Sequence, residues 1–380
     1  MIVFGTPTEN ADWIIGDDAA DFIGGWGGDD LIMGGGGDDL LLGNHGNDVI
    51  VPGAGLDSIW GGFLNGDSGT DSVSYGLYGS GVYADFQAGY GYQLSLGMSD
   101  KDTYHGIENI TGSNHTDVLA GDGGANKIYG NGGDDWILGR GGADTLLAGS
   151  GADTLNGGAG ADHLDGGSGV DTASYSDSAS YVVVNLASGS GLFGDAQGDT
   201  LTGIENFLGS SHGDTALGDG VANKLMGGGG GDALYGYGGD DRLEGGSGDD
   251  TLNGGANNDT LVGGAGKDTM TGGSGADKYV YNNVADTGNT FEVRDVITDF
   301  SKAQGDKIDL AGMDANANLA GNQNFVFIGD DDFHGVAGEL RVGYDNGNTF
   351  IAGDVDGDGD RDFRIELTGQ HNLTASDFVL

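Results

Sequence analysis

A nine-residue phrase, written eight times without a gap between residues 209 and 280, limits what this chain can fold into more than any other feature. Its cleanest copy is GGSGDDTLN, Gly245 to Asn253. With each copy numbered 1 to 9, position 6 reads Asp214, Asn223, Asp232, Asp241, Asp250, Asp259, Asp268 and Asp277. Position 8 reads Ala216, Leu225, Leu234, Leu243, Leu252, Leu261, Met270 and Tyr279. The glycines allow tight turns with positive φ, and Asn257 tolerates the same place in one copy. Positions 7 to 9 set one apolar side chain between two polar ones, a short strand with one buried face. A three-residue strand cannot bury a single Leu alone, so copies must stack, two to a coil, with position 8 as a continuous ladder. Gly/Asp-rich disorder has no reason to keep such a register.

The same register recurs twice upstream. Residues 7 to 60 hold six copies, with Asp12, Asp21, Asp30, Asp39, Asp48 and Asp57 at position 6 and Ile14, Ile23, Ile32, Leu41, Ile50 and Ile59 at position 8. After five extra residues one more copy carries Asp71 and Val73. Residues 112 to 174 hold seven copies, with Asp117, Asn126, Asp135, Asp144, Asp153, Asp162 and Asp171 at position 6. Each block opens irregularly: position 4 is Asn10 then Ala19, His115, and His212 then Val221, while Asn126 and Asn223 replace the acid. Such copies suit terminal caps with little or no metal.

Stacking sets the position-6 carboxylates in rows about 4.8 Å apart, where like charges repel unless cations lie between them. Carboxylates with inward-bent glycine carbonyls form a hard oxygen set suited to Ca²⁺. Here the chain resembles the repeats-in-toxin (RTX) family, whose nonapeptide G-G-x-G-x-D-x-U-x, with U a large apolar residue, forms a calcium-binding parallel β-roll. The resemblance implies ions held between turns one coil apart, Asp232 sharing one with Asp250 and Asp241 with Asp259. The candidate carboxylate ligands are Asp21, Asp30, Asp39, Asp48, Asp57, Asp135, Asp144, Asp153, Asp162, Asp171, Asp232, Asp241, Asp250, Asp259, Asp268 and Asp277; the candidate carbonyls are those of Gly133, Gly142, Gly151, Gly239, Gly248 and Gly266. About 15 ions follow if each needs copies two apart.

From Tyr281 onward the nonapeptide stops. DVITDF (295–300), GDKIDL (305–310), DVDGDGDRDFRIELTG (354–369) and NLTASDFVL (372–380) resemble the module that closes the β-roll in serralysin-type proteases and in alginate epimerase repeat modules. Asp354, Asp356 and Asp358, alternating with Gly357 and Gly359, partly fit a calcium loop, though Ile365 stands where a twelfth-position Glu belongs. A solvated turn explains them equally well. The segments expected are a first roll block (1–74), a β insert or lid (75–111), a second block (112–174), a second insert (175–208), a third block (209–280) and a β-rich C-terminal cap (281–380). Each insert reads as a hairpin-like lid over a roll end, and Tyr75, Tyr78, Tyr83, Tyr90, Tyr92 and Tyr104 in the first read as lid packing before a sugar-stacking platform.

With 84 Gly, 13 Lys+Arg and 60 Asp+Glu, the formal charge is −47, which excludes nucleic acid as a natural partner and keeps a metal-free chain expanded. There is no cysteine to build disulfides. The N-terminal stretch lacks signal-peptide character, and no apolar run has membrane-spanning length. The family resemblance instead implies one-step bacterial export by a type I machinery that reads an uncleaved C-terminal signal, to which Asp377, Phe378, Val379 and Leu380 are similar. The expected location is therefore extracellular, where calcium is plentiful.

Catalysis is not expected. His45, His105, His115, His163, His212, His334 and His371 form no zinc-protease pair around a Glu. Gly209–Ser210–Ser211–His212–Gly213 matches G-x-S-x-G in a Gly/Ser-rich stretch where chance explains it. The expectation is an elongated, secreted, all-β calcium-binding protein with a structural or interaction role. The alternatives are a calcium-dependent carbohydrate-binding module, possessing affinity for extracellular polysaccharide or a cell surface, and an accessory of an extracellular enzyme.

Overall fold

The computed structural model describes residues 8–62, 69–288 and 293–380. The N-terminal stretch read for a signal peptide lies largely outside these, as does most of the five-residue insertion after residue 60. The described residues form strands and four short 3-10 turns. They divide into two units, Met1–Ser174 with Asp195–Ile204, and Tyr175–Gly194 with Glu205–Leu380.

In the first unit, strands eighteen residues apart pair in parallel, Trp13↔Leu31↔Val49 on one sheet and Phe22↔Leu40↔Ser58 on the other. Two nonapeptides therefore make one coil, and successive copies alternate between two sheets. The second block repeats the arrangement, with Lys127↔Thr145↔His163 facing Trp136↔Thr154↔Thr172. Because the register is fixed at eighteen, every position-8 residue falls on the same inner line. Ile14, Ile32, Leu41, Ile50, Ile59, Leu119, Ile128, Ile137, Leu146, Leu155 and Leu164 are all fully buried.

The inserts are hairpins, Val82–Asp85 with Tyr90–Gln93 and Val183–Asn185 with Ser190–Leu192. They do not lie over an open end as lids. Val82–Asp85 pairs in parallel with Val118–Ala120, Asp102–His105 with Ser58–Trp60, and Asn109–Thr111 with both Ser72–Ser74 and Lys127–Tyr129. The insert strands thus continue the coil, because each carries the same short apolar triplet as a repeat and offers the same ladder of backbone groups.

In the second unit the third block builds Lys224↔Arg242↔Thr260↔Lys278 on one sheet and Thr215↔Ala233↔Thr251↔Thr269 on the other. The C-terminal module extends both. Val296–Ile297 adds beside Thr269–Met270, and Lys307–Asp309 adds beside Lys278–Val280, with Phe378–Val379 beyond it. An antiparallel sheet of Glu339–Asp345, Asn348–Asp354 and Phe363–Leu367 returns to pair with Val296–Ile297. Leu340, Ile351, Phe363, Ile365 and Leu367 form its core.

Candidate metal centre

Each position-6 Asp sits where the turn ends and the strand begins, so its side chain points inward beside the apolar ladder. Asp21, Asp48, Asp57 and Asp171 are buried with the rest of the row, and Asp12 at its start is half-buried. One carboxylate oxygen has a regular partner. The backbone N–H of Asp232 donates to Asp250 Oδ1 (2.7 Å), that of Asp241 to Asp259 Oδ1 (2.8 Å), and that of Asp135 to Asp153 Oδ1 (2.7 Å). The bond links residues eighteen apart, so it ties each coil to the next.

The other oxygen does not. Oδ2 of Asp30, Asp39, Asp135, Asp144, Asp153, Asp162, Asp232, Asp241, Asp250, Asp259, Asp268 and Asp277 is buried and accepts no hydrogen bond. A carboxylate oxygen removed from water without a donor is costly, and repeating it a dozen times in one fold is untenable without a cation. The surroundings sharpen the point. A methyl group placed on Gly245 would lie 2.2 Å from Asp250 Oδ2 and 2.6 Å from the Gly263 carbonyl oxygen. At Gly236 the same test meets Asp241 Oδ2 at 2.1 Å and the Gly254 carbonyl at 2.6 Å, and at Gly130 Asp135 Oδ2 at 2.3 Å and the Ala148 carbonyl at 2.5 Å. Acceptors converge over a bare Cα with no donor between them. This is an oxygen set fit for Ca²⁺, with the position-1 glycine keeping it clear.

Burial, reinforced by like-charged neighbours, raises these acids far above ordinary carboxylates. Asp135 is pushed up to about 8, Asp232, Asp259 and Asp268 to about 7, and Asp144, Asp241, Asp250 and Asp277 to about 6. The fold thus strains against its own negative charge in a way that a bound cation reverses.

The block openings provide an internal control. Asn126 Nδ2 donates to the Glu108 carbonyl, and Asn223 Nδ2 to the Glu205 carbonyl, both at 2.8 Å. Asp117 is satisfied from within its own copy, by Ser113 N–H (2.7 Å) and Ser113 Oγ (2.9 Å). Asp214 is satisfied likewise by Ser210 N–H (2.6 Å) and Oγ (3.2 Å). Where the nonapeptide departs from its consensus, protein donors fill the place that the interior copies leave to a cation.

The position-4 glycines Gly133, Gly142, Gly151, Gly239, Gly248 and Gly266 have φ of 107, 109, 145, 107, 127 and 144°. A methyl group on Gly266 would lie 1.9 Å from the Gly248 carbonyl oxygen, and one on Gly151 1.9 Å from that of Gly133, so these carbonyls stack coil upon coil. Position 2 is also left-handed, and there the sequence admits Trp26 (φ 78°), Asn44 (74°), Asn131 (73°), Arg140 (77°) and Tyr237 (69°).

Four ligand-like acids escaped the sequence reading. The N–H of Asp57 donates to Asp102 Oδ1 (3.3 Å), that of Asp162 to Asp199 Oδ1 (2.9 Å), that of Asp268 to Asp295 Oδ1 (2.9 Å) and that of Asp277 to Asp306 Oδ1 (3.1 Å). The acidic row therefore runs on into the inserts and the C-terminal module. The available signal was the triplet Asp–x–apolar: Asp102–Thr103–Tyr104, Asp199–Thr200–Leu201, Asp295–Val296–Ile297 and Asp306–Lys307–Ile308.

In the loop after residue 353, the structure brings together Asp354, Asp356 and Asp362, one ligand atom of each lying within 4.8 Å of the others. Asp358 is outside this group and instead caps Asp360 N–H (2.8 Å). Asp354 is fully buried but already accepts from Gly357 N–H (2.7 Å) and Gly359 N–H (3.0 Å). Of the first insert's tyrosines, Tyr75 and Tyr104 are buried and bonded to each other, whereas Tyr83 and Tyr92 stack with centroids 5.1 Å apart on the hairpin. After Gly209–Gly213 comes the strand Thr215–Leu217, not the helix a nucleophile elbow requires.

Comparison with known proteins agrees with this geometry. The RTX calcium-binding nonapeptide repeat model matches residues 8–41, 27–59, 42–73, 111–146 and 138–173. The model described as Peptidase M10 serralysin C terminal matches residues 165–380. No curated protein matches the chain. Among solved structures, the AlgE6R3 subunit from the Azotobacter vinelandii mannuronan C5-epimerase is 26% identical over 45% of this chain and 80% of its own, at a TM-score of 0.29. The AlgE6R2 subunit is 26% identical over 45% and 89%, at 0.27. The two family models carry the assignment: the chain holds RTX calcium-binding repeats, has no zinc-protease His-Glu-x-x-His motif, and belongs to the serralysin C-terminal family of peptidase M10.

Proposed function

We propose that this protein is exported unfolded by a type I machinery and folds outside the cell by taking up many calcium ions, about 15 on the spacing of its repeats. The single observation behind this reading is the row of buried Oδ2 atoms that no protein donor reaches. Asp at position 6 would supply side-chain oxygens, and the position-1 and position-4 glycines would supply carbonyls. The bound cations would provide positive charge where the chain has none, making a closed roll from a polymer of net charge −47.

Export fits the same logic. Asp377 and Phe378 are buried in the folded module, Phe378 pairs with Ile308, and Lys302 Nζ lies 2.8 Å from an Asp377 carboxylate oxygen. A signal held in this way is legible only while the module is unfolded, which scarce cytosolic calcium would ensure. The role outside the cell is structural or accessory, and the polysaccharide alternative has the half-buried Tyr83–Tyr92 stack in its favour.

The test is circular dichroism of the purified chain titrated with calcium and, separately, with magnesium. A cooperative gain of β signal with calcium, reversed by chelator and weak with magnesium, is expected. A full β signature and unchanged melting in chelator would sink the reading.

A further inference from the structure

The chain has 13 Lys+Arg against 60 Asp+Glu, yet three of its arginines line one open groove of about 620 Å³ in the C-terminal module. Arg341 and Arg364 occupy the outer strands of the antiparallel sheet, on the same rung, with Ala352 between them. Two residues further along, on the same face, Gly343 stands beside Phe350. A methyl group on Gly343 would meet nothing within 4 Å, so the floor between the arginines is open.

Both guanidiniums lie over aromatic rings. Arg364 Cζ is 3.4 Å from the Phe350 ring centroid, and Arg341 Cζ is 5.6 Å from that of Phe333. Stacking leaves the N–H edges pointing away from the ring, the geometry that grips planar carboxylates through two parallel bonds. Arg364 stands 3.9 Å from its acidic neighbour Asp345, while Arg341 meets Asp332, whose side chain is 94% exposed, and donates through Nη2 to the Asp330 carbonyl (3.3 Å), partners an incoming carboxylate would replace. Asp345 and Asp360 also line the groove and Asp332 holds Arg341, so its formal charges balance. In a chain of net charge −47, a balanced patch is a place where an anion meets less repulsion. Burial, reinforced by the neighbouring Arg361 and Arg294, lowers Arg364 from its usual range, with Asp345 and Glu366 acting the other way.

We propose that this groove is a binding site for a carboxylate carried on a ring, with Arg364 and Arg341 gripping the carboxylate and the open Gly343–Ala352 floor receiving the ring. Two strand spacings, about 9.6 Å, separate the outer strands, which suits a ligand with a body better than a compact inorganic anion. The ring has two chemical sources, an acidic sugar or an aromatic acid.

The test is an NMR titration of the full calcium-loaded chain with glucuronate, benzoate, glucose and inorganic phosphate. Binding of glucuronate identifies a sugar acid, and binding of benzoate an aromatic acid; either supports the site if glucose and phosphate bind at least about tenfold more weakly. Arg364→Gln, Arg341→Gln and the space-filling Gly343→Trp should each weaken binding by about tenfold or more. Their calcium titration midpoints should match the parent's, which separates failure of this site from failure of calcium-driven folding. Equal binding of glucose or phosphate, absence of binding to both acids, or binding indifferent to Arg341→Gln and Gly343→Trp would overturn the proposal.

Discussion

Asp250 is the place to ask whether the unpartnered oxygen is what the cation needs. Its Oδ1 accepts the Asp232 N–H at 2.7 Å, its own N–H donates to Asp268 Oδ1 at 3.0 Å, and its Oδ2 has no donor. Asp250→Asn keeps the acceptor for Asp232 and places an amide N–H where Asn126 and Asn223 already carry one. Asp250→Ala removes both. A site at a hundredfold excess of ligand over its dissociation constant contributes about 2.7 kcal/mol, so loss of the two ions Asp250 shares with Asp232 and Asp268 lowers stability in saturating calcium by about 5 kcal/mol. Asp250→Ala should lose about 1–3 kcal/mol more, because the buried Asp232 N–H is then unpaired. The assay is urea unfolding in saturating calcium, together with an ion count by competition with a chromophoric chelator. Asp250→Asn should bind fewer ions by up to two, shift the calcium midpoint upward, and remain more stable than Asp250→Ala. An unchanged ion count and midpoint in Asp250→Asn would refute the reasoning, as would equal stability of the two variants.

Gly245→Ala, at a backbone angle any residue can adopt, should displace the Asp250 carboxylate and raise the calcium midpoint, whereas Gly220→Ala, with nothing within 4 Å, should change stability by less than about 0.5 kcal/mol in the same titration. Tyr237→Gly should stabilise the calcium-loaded roll by about 1 kcal/mol in urea unfolding, since it relieves a left-handed φ of 69° under a side chain that is mostly exposed. The pH dependence follows from acids raised above their unfolded value of 3.8 to about 6 at Asp250, 7 at Asp259 and 8 at Asp135. Without metal, the folded state loses stability as pH rises from the unfolded value through the folded one; calcium needs the ionised form, so its midpoint should fall steadily between pH 6 and 8. A pH-independent midpoint in calorimetric titration would contradict these environments.

The repeat made most of the roll legible, because a fixed nine-residue period leaves position 8 one place to go, as Leu252 and Ile137 show. It also located the acids, and the poor opening copies marked the side chains that meet partners within the protein. Three things were illegible for physical reasons. The glycine at position 1 looks like a turn residue in sequence, yet Gly245 has no left-handed angle and is required by the oxygen that crowds its Cα. Asp102, Asp295 and Asp306 lack the G-G-x-G-x spacing before them, so a pattern anchored on it passes them by although the coil does not. Partnering in three dimensions is also invisible in a string. Asp358 alternates with its neighbours as regularly as Asp356, but the loop closes on Asp362 instead.

The paired amides at Asn126 and Asn223 bear on how such an array changes over time. Asparagine and aspartate have the same shape and differ, in their codons, by a single base. One mutation can therefore switch a seat between self-sufficient and salt-hungry without disturbing the coil around it. The number of ions a lineage's protein demands, and hence the mineral content of the surroundings in which it will solidify, can drift by small heritable steps while the architecture stays put.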